Sequence, residues 1–196
     1  MTAPRPLSVR LFALLAVALL VAVLSPPVGS DFGRCQAAEE AADSPATIRI
    51  KAGSDQEFTD HEGNKWRPDQ GFEGGETIAR ADDLEIKNTK DPELYRSERY
   101  SMESFSQPLT NGKYKVRLHF AETFEEISEP GQRVFSFNVE GQDFPDFDVT
   151  EKAKGVQTAY VEEVDVGVTD GKLDITFTPK MQNPMINGIE IIPEGA

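Results

Sequence analysis

The sequence predicts an all-β fold, an antiparallel β-sandwich, from three observations. Apolar side chains recur at every second residue in several short segments, which is the period of a strand with one face in a core. Dipeptides that favour tight turns separate these segments. C-terminal to residue 46, no segment has the apolar spacing of an amphipathic helix. Together these features are typical of a sandwich built from hairpins.

The first clear strand covers residues 113–122 and follows the pair Asn111-Gly112, whose residues both tolerate positive φ in a hairpin turn. Its apolar side chains would all lie on one face of the strand: Tyr114, Val116, Leu118 and Phe120. The residues between them are basic or carry an imidazole. We therefore expect a half-buried strand with His119 on its polar face.

The same alternation continues toward the C terminus. Residues 134–139 and residues 173–177 both alternate between large apolar and small polar side chains, so each predicts a strand. Residues 186–192, which follow Pro184, are the predicted closing strand. Three further turn signals separate these segments: Pro130-Gly131, Glu140-Gly141 and Asp170-Gly171.

The N-terminal region has the layout of a secretory signal peptide, which we assign to residues 1–30. Arg5 and Arg10 precede an unbroken apolar run at residues 11–24, and small residues and prolines follow it. A helix that crosses a bilayer needs about 20 apolar residues, so this run favours cleavage over a permanent anchor. We expect the protein to be exported, either secreted or retained in the periplasm or cell envelope.

An acidic linker is predicted at residues 31–46, because residues 36–46 are small, acidic and free of large apolar side chains. Cys35 is the only cysteine, so no internal disulfide can form. A lipid-modified Cys35 would provide a tether, but the residues before it lack the usual small-residue pattern of lipoproteins. The remaining residues, 47–196, have a usual length for one domain.

The charge of the chain excludes some partners. It has 34 acidic and 20 basic residues, a net charge of −14. Such a surface repels phosphate backbones and anionic headgroups, so we expect no nucleic-acid binding and no membrane insertion of the folded domain. The ordinary consequence of this charge is solubility.

An ordered series of short motifs carries a resemblance to a known family. The motifs are FTD at 58–60, GNKW at 63–66, LYRSERY at 94–100, LHFAE at 118–122, RVF at 133–135 and NPMINGIE at 183–190. Together they resemble the malectin family, and they cover nearly all of residues 47–192. The resemblance implies a jelly-roll sandwich of the galactose-binding type. It also implies a carbohydrate site on loops at one end and binding without catalysis, as in a lectin.

The resemblance also implies ligand-binding residues, beginning with two rings. Tyr100 closes the LYRSERY motif and matches a ligand-binding tyrosine of the family. Phe124 stands where the family has a stacking tyrosine, so this chain keeps the ring and lacks the hydroxyl. Glu125 departs from the family, since the animal lectin has an aromatic residue there.

Polar ligand residues are expected at three further positions. Gln182 stands in place of a family aspartate, which exchanges a carboxylate for an amide. Residues 79–88 lack the tyrosine expected there, so Asp82 and Asp83 are the polar candidates. These departures mean that the diglucose specificity of the animal lectin does not transfer to this chain.

Two other functions remain open. The same sandwich would serve as a protein-interaction or envelope scaffold module, a hypothesis that the missing stacking aromatics favour. Burial of both Tyr100 and Phe124 would exclude the sugar site, whereas exposure beside Gln182 would support it. A glycosidase would need two carboxylates across a cleft. It ranks third because no motif for a nucleophile, phosphate loop or metal site is present.

No metal site or cofactor is predicted. Asp143, Asp146 and Asp148 form an acidic cluster whose oxygens would suit calcium. Their spacing lacks the regularity of a dedicated calcium loop, and their alternation with phenylalanines indicates an edge strand instead. Trp66, the single tryptophan, is expected in the core rather than in the sugar site.

Overall fold

The computed structural model describes residues 46–195. The predicted signal peptide, Cys35 and all but the last residue of the predicted linker lie outside the described residues. The all-β prediction is confirmed, since strands dominate and the two helices have single-turn length: α1 (Pro92–Tyr95) and α2 (Val149–Ala153). No helix within residues 46–195 is long and apolar enough to cross a bilayer.

Twelve strands are present in the described part of the chain. They are β1 (Ile48–Lys51), β2 (Phe58–Thr59), β3 (Lys65–Trp66), β4 (Phe72–Ala79), β5 (Ser97–Pro108), β6 (Gly112–Phe120), β7 (Val134–Val139), β8 (Gln142–Phe147), β9 (Tyr160–Val168), β10 (Lys172–Met181), β11 (Met185–Ile186) and β12 (Gly188–Pro193). Strands β6, β7 and β10 lie on three of the predicted segments, whereas the predicted closing strand at 186–192 is divided between β11 and β12, which belong to different sheets.

The strands form two antiparallel sheets and a short ribbon. The four-stranded sheet has the order β1-β12-β6-β9, and β2 pairs with β3. The six-stranded sheet has the order β11-β5-β10-β7-β8, and β4 pairs with β5. Strand β8 forms an edge, as the acidic alternating segment predicted. The chain therefore folds as a sandwich with connections that cross between sheets.

The main core lies between the two sheets and is rich in phenylalanine. Phe120 of the smaller sheet meets Phe147 of the larger sheet at 5.0 Å between ring centroids, and Phe135 packs beside both. Each of these rings is at most 3% exposed. Burial of one such side chain contributes about 1.5–3 kcal/mol, so this aromatic layer holds the sheets together without a disulfide.

A second, smaller cluster covers the outer face of the four-stranded sheet. Trp66, Leu94 and Tyr95 belong to it, and Trp66 is only 2% exposed, as expected for a core residue. His119 lies beneath this cluster, edge-on to Trp66 and 2.9 Å from the Tyr95 hydroxyl through Nδ1. His119 faces away from the main core as predicted, but it is nevertheless buried, with only 8% of its surface exposed. The polar face of β6 is therefore buried at this point.

Candidate ligand-binding site

A pocket of about 270 Å³ opens at one end of the six-stranded sheet. It lies where β4 and β10 end, where β5 and β7 begin, and where the chain leaves β6. Its lining combines rings, guanidinium groups and amides: Ile78, Arg80, Glu98, Tyr100, Phe124, Arg133, Gln182 and Asn183. Three predicted ligand residues, Tyr100, Phe124 and Gln182, therefore meet in one pocket.

Tyr100 is held by strand pairing on both sides. In β5 it faces Glu76 of β4 and Met185 of β11. Its ring is half-buried against the main core, and its hydroxyl donates to Glu76 Oε2 at 2.7 Å. This hydrogen bond to a carboxylate raises the pKa of Tyr100 above its ordinary value. The ring is thus fixed in direction while one side remains accessible in the pocket.

Phe124 lies in the segment that follows β6, and a hydrogen bond to a buried side chain holds its backbone in place. Its amide donates to Glu122 Oε1 at 2.9 Å. The guanidinium carbon of Arg133 lies 6.0 Å from the ring centroid, at the outer limit of a cation–π contact. The ring is half-buried, so part of its surface is available for stacking.

At the floor of the pocket, the side chains of Arg80, Glu98 and Thr123 are joined pairwise by hydrogen bonds. Glu98 is 2% exposed, and its two oxygens accept from Arg80 Nη2 at 3.0 Å and from the Thr123 hydroxyl at 2.8 Å. Arg80 Nε in turn donates to Thr123 Oγ1 at 3.1 Å. The charge of Glu98 is therefore paired, which buried carboxylates require.

A second buried pair joins Glu122 to Arg133. Arg133 Nε donates to Glu122 Oε2 at 2.7 Å, and Nη1 donates to the Asn183 carbonyl at 2.6 Å. Glu122 is fully buried, and this burial raises its pKa, although Arg133 and the Phe124 amide act in the opposite direction. The pair ties the segment after β6 to the turn between β10 and β11.

The rim of the pocket carries two amides. Gln182 and Asn183 are exposed in the turn between β10 and β11, and buried Pro184 follows. Gln182 has a φ of 60°, which lies in the left-handed region. No described residue forms a hydrogen bond with the side chain of Gln182 or Asn183, so both amides are available to a ligand.

Asp82 and Asp83 do not line this pocket. Both are exposed. Asp82 instead lines a smaller depression beside Lys51 and Arg96. Glu125 is also exposed and is not among the lining residues.

Five lining residues were not predicted as ligand residues: Ile78, Arg80, Glu98, Arg133 and Asn183. Arg133 and Asn183 belong to motifs that carried the family resemblance, so those motifs contained a signal. Nothing in the alternation around Arg80 distinguished it from a surface arginine.

The three aspartates of the acidic cluster in and after β8 each have a different local partner. Asp143 accepts from Asn138, Asp146 pairs with Lys180, and Asp148 caps α2 by accepting from the Glu151 amide. Within residues 46–195, no three side chains of His, Cys, Asp or Glu converge as metal ligands would. The three carboxylates therefore act on the local structure.

Comparison with known proteins adds a family and several relatives. The sequence profile of the family described as Malectin domain matches residues 46–190. A probable leucine-rich repeat receptor-like serine/threonine-protein kinase of Arabidopsis thaliana is 37% identical over 122 residues, 58% of this chain and 12% of the kinase. Malectin-B of Xenopus laevis is 30% identical over 126 residues, 57% of this chain and 45% of that protein. Malectin of Homo sapiens is 29% identical over 196 residues, 92% of this chain and 64% of that protein. The chain thus spans less than two thirds of each relative.

Solved structures show the same sandwich inside larger proteins. A β-glucuronidase of Bacteroides uniformis superposes with a TM-score of 0.68 at 23% identity, over 76% of this chain and 18% of that chain. The plant receptor-like kinase FER superposes with a TM-score of 0.64 at 21% identity, over 76% of this chain and 50% of that chain. At these identities the likeness bears on the fold alone.

Proposed function

Because this chain belongs to the malectin family, we propose that it is a carbohydrate-binding protein whose site is the pocket around Tyr100 and Phe124. The observation that carries the proposal is the meeting of two half-exposed rings with the free amide of Gln182. Sugar rings present apolar C–H faces for stacking and hydroxyls for paired hydrogen bonds. The pocket offers both kinds of contact.

The size and position of the pocket also support a glycan ligand. Its volume of about 270 Å³ lies near the lower end of the range of roughly 300–1,000 Å³ for ligand pockets. The opening lies at the end of a sheet rather than in a closed interior. A terminal or branching sugar residue would therefore fit while the rest of the glycan extends into solvent.

We propose that the protein binds without catalysis. A glycosidase needs one carboxylate that holds a transferable proton near the bond and a second one as nucleophile or base. Both oxygens of Glu98 accept from Arg80 and Thr123. Both oxygens of Glu122 accept from Arg133 and the Phe124 amide. Neither carboxylate has an oxygen free of these partners.

Export and the domain boundaries are part of the proposal. The apolar run at residues 11–24 behind two arginines supports a signal peptide over residues 1–30, followed by the acidic linker. The binding domain would then comprise residues 47–196, placed outside the cytoplasm where free and surface-bound glycans are available.

A protein-interaction module is the second candidate, and one observation favours it. Ile78 is 37% exposed and lines the pocket, while Met181 is 54% exposed and precedes Gln182. They are the two exposed large hydrophobic residues among residues 46–195. Exposed apolar side chains beside a pocket also suit a protein partner.

The test is a glycan-array screen of the full chain, followed by calorimetry with the glycans that bind. Tyr100→Ala and Phe124→Ala should each weaken binding by several-fold to about tenfold, because stacking on one ring contributes about 0.5–1.5 kcal/mol. Phe144→Ala is the matched control, since Phe144 is also half-buried but lies outside the pocket. Absence of binding to any glycan would reject the lectin function in favour of the protein-interaction module.

A further inference from the structure

Resting on the proposed function, we propose that the pocket selects glycans that carry a carboxylate, such as a hexuronate residue, over neutral glycans. The two guanidinium groups of Arg80 and Arg133 line the same pocket. Both are held in place by buried partners, and both retain nitrogen atoms that no described residue uses. This arrangement presents a preorganised set of hydrogen-bond donors.

The hydrogen bonds of the two arginines identify the free donors. Arg80 uses Nε for Thr123 and Nη2 for Glu98, so Nη1 has no acceptor among residues 46–195. Arg133 uses Nε for Glu122 and Nη1 for the Asn183 carbonyl, so Nη2 has none there either. Each of these two nitrogens carries two N–H groups.

Acceptors in the pocket are fewer. Glu98 is the only carboxylate among the lining residues, and both of its oxygens already accept hydrogen bonds. The remaining acceptors of the lining are the phenolic oxygen of Tyr100 and the amide carbonyls of Gln182 and Asn183, and these amides bring NH₂ donors as well. At the rim, Glu76 adds the carboxylate oxygen that Tyr100 does not use. The lining therefore offers more free donors than free acceptors.

This imbalance distinguishes between classes of sugar. Every hydroxyl of a neutral sugar has a proton to donate and needs an acceptor when it is desolvated. A carboxylate only accepts, and each of its two oxygens can take charge-assisted hydrogen bonds from guanidinium N–H groups. The carboxylate of such a sugar thus satisfies Arg80 and Arg133 without using any of the few acceptors in the pocket.

The charges nearby do not reverse this preference. Glu98 and Glu122 balance the two arginines, so the preference comes from unused N–H groups rather than from a net positive pocket. The net charge of −14 and the rim carboxylate Glu76 oppose an anionic ligand. Salt screens exposed charges beyond about 8–10 Å, whereas short contacts to partly buried groups are screened less. The Arg80 and Arg133 side chains are only 16% and 6% exposed.

The first experiment compares ligands that differ only in charge. Calorimetry of the full chain would use a hexuronate oligosaccharide, its neutral methyl ester, and an oligosaccharide of the same linkage that carries sulfate in place of the carboxylate. We expect the hexuronate to bind about tenfold tighter than the ester, because charge-assisted hydrogen bonds are lost in the ester. Equal affinity for the ester overturns the inference and leaves the proposed function standing. Equal or tighter binding of the sulfated glycan overturns the assignment to a carboxylate.

The second experiment changes the pocket at an exposed position, so that folding is preserved. Gln182→Glu adds a carboxylate at the rim and removes the same amide for both ligands, so the affinity for the hexuronate relative to the methyl ester should fall about tenfold or more. Gln70→Glu adds the same charge at an exposed position outside the pocket and should change neither affinity. Unchanged selectivity in Gln182→Glu overturns the inference. If the unmodified chain binds none of the glycans, the proposed function is overturned as well.

Discussion

The hydroxyl of Tyr100 donates to Glu76 Oε2 at 2.7 Å, across the antiparallel pair formed by β5 and β4. The two residues are directly opposite each other in the register, so the ring direction is set by the sheet. A side chain fixed in this way loses little entropy when a ligand stacks on it.

Glu76→Gln should lower the pKa of Tyr100 toward its ordinary value. The hydrogen bond from the hydroxyl to an anionic acceptor is the main cause of the raised pKa, and a neutral amide acceptor favours the protonated phenol less. Titration of the tyrosine ring by NMR measures the change. Glu73→Gln is the control. Glu73 also lies in β4 but pairs with Ser104 rather than with Tyr100, so this variant should leave the pKa of Tyr100 unchanged. A pKa that stays equally high in Glu76→Gln would contradict the assigned hydrogen bond.

Arg133→Met should lower the free energy of unfolding by about 3–5 kcal/mol, because it leaves the buried carboxylate of Glu122 without its partner. Urea denaturation measures the loss. Adding Glu122→Gln to the same chain should recover a large part of it, since the unpaired charge is then removed. Lys180→Met, which breaks an exposed ion pair with Asp146, is the control and should cost far less. Similar losses in the two single variants would refute the role of burial.

Acid should destabilise the protein through His119. Burial lowers the pKa of His119 from 6.5 to about 3 in the folded state. Between those values the unfolded chain binds a proton that the folded chain does not. Stability from the neutral imidazole is therefore fully present above about pH 6.5 and falls by roughly 1.4 kcal/mol per pH unit as the pH drops toward 3.

The measurement is the free energy of unfolding of the unmodified chain and of His119→Gln at several pH values. Taking the difference between the two chains removes the contributions of Glu122 and the other carboxylates. A difference that does not vary with pH would show that His119 is accessible to protons in the folded state.

Gly75→Ala should destabilise the sheet and weaken glycan binding together. Gly75 has a φ of 75°, and a Cβ atom there would lie 2.4 Å from the Tyr100 carbonyl oxygen. Strand β4 would have to move away from the strand that carries Tyr100. Gly141→Ala is the matched control, with a φ of 83° and no atom within 4 Å of the added methyl group. Thermal unfolding and calorimetry should show a larger effect of Gly75→Ala in both measurements.

Local patterns located β6, β7 and β10, because alternation reports directly on which face of a strand is buried, whereas β4, β5 and β9 were not predicted. Tyr114 and Phe135 lie in the core as their alternation indicated. The prediction for His119 was incomplete for a physical reason. Its place in the alternation shows only that it faces away from Leu118, whereas its burial depends on Trp66 and Tyr95, which come from other segments.

The candidate site was predictable in part. The resemblance supplied Tyr100, Phe124 and Gln182, and the structure brings these three together. It does not bring Asp82 and Asp83 into the same pocket. Arg80 and Asp82 are close in sequence, yet Asp82 lines a different depression from the pocket. The direction of each side chain depends on how the loop packs, which the sequence alone does not show.

The sequence by itself determined the period of the strands, the turns between them, the burial of Trp66 and the family of the domain. These features are local, or they lie in the order of short motifs. Only the tertiary structure decided that Arg80 and Arg133 face one pocket and that buried carboxylates occupy part of their hydrogen-bonding capacity. Such pairings depend on which strands become neighbours across the sandwich. Strand order is a non-local property, since each contact joins residues that are far apart in the chain.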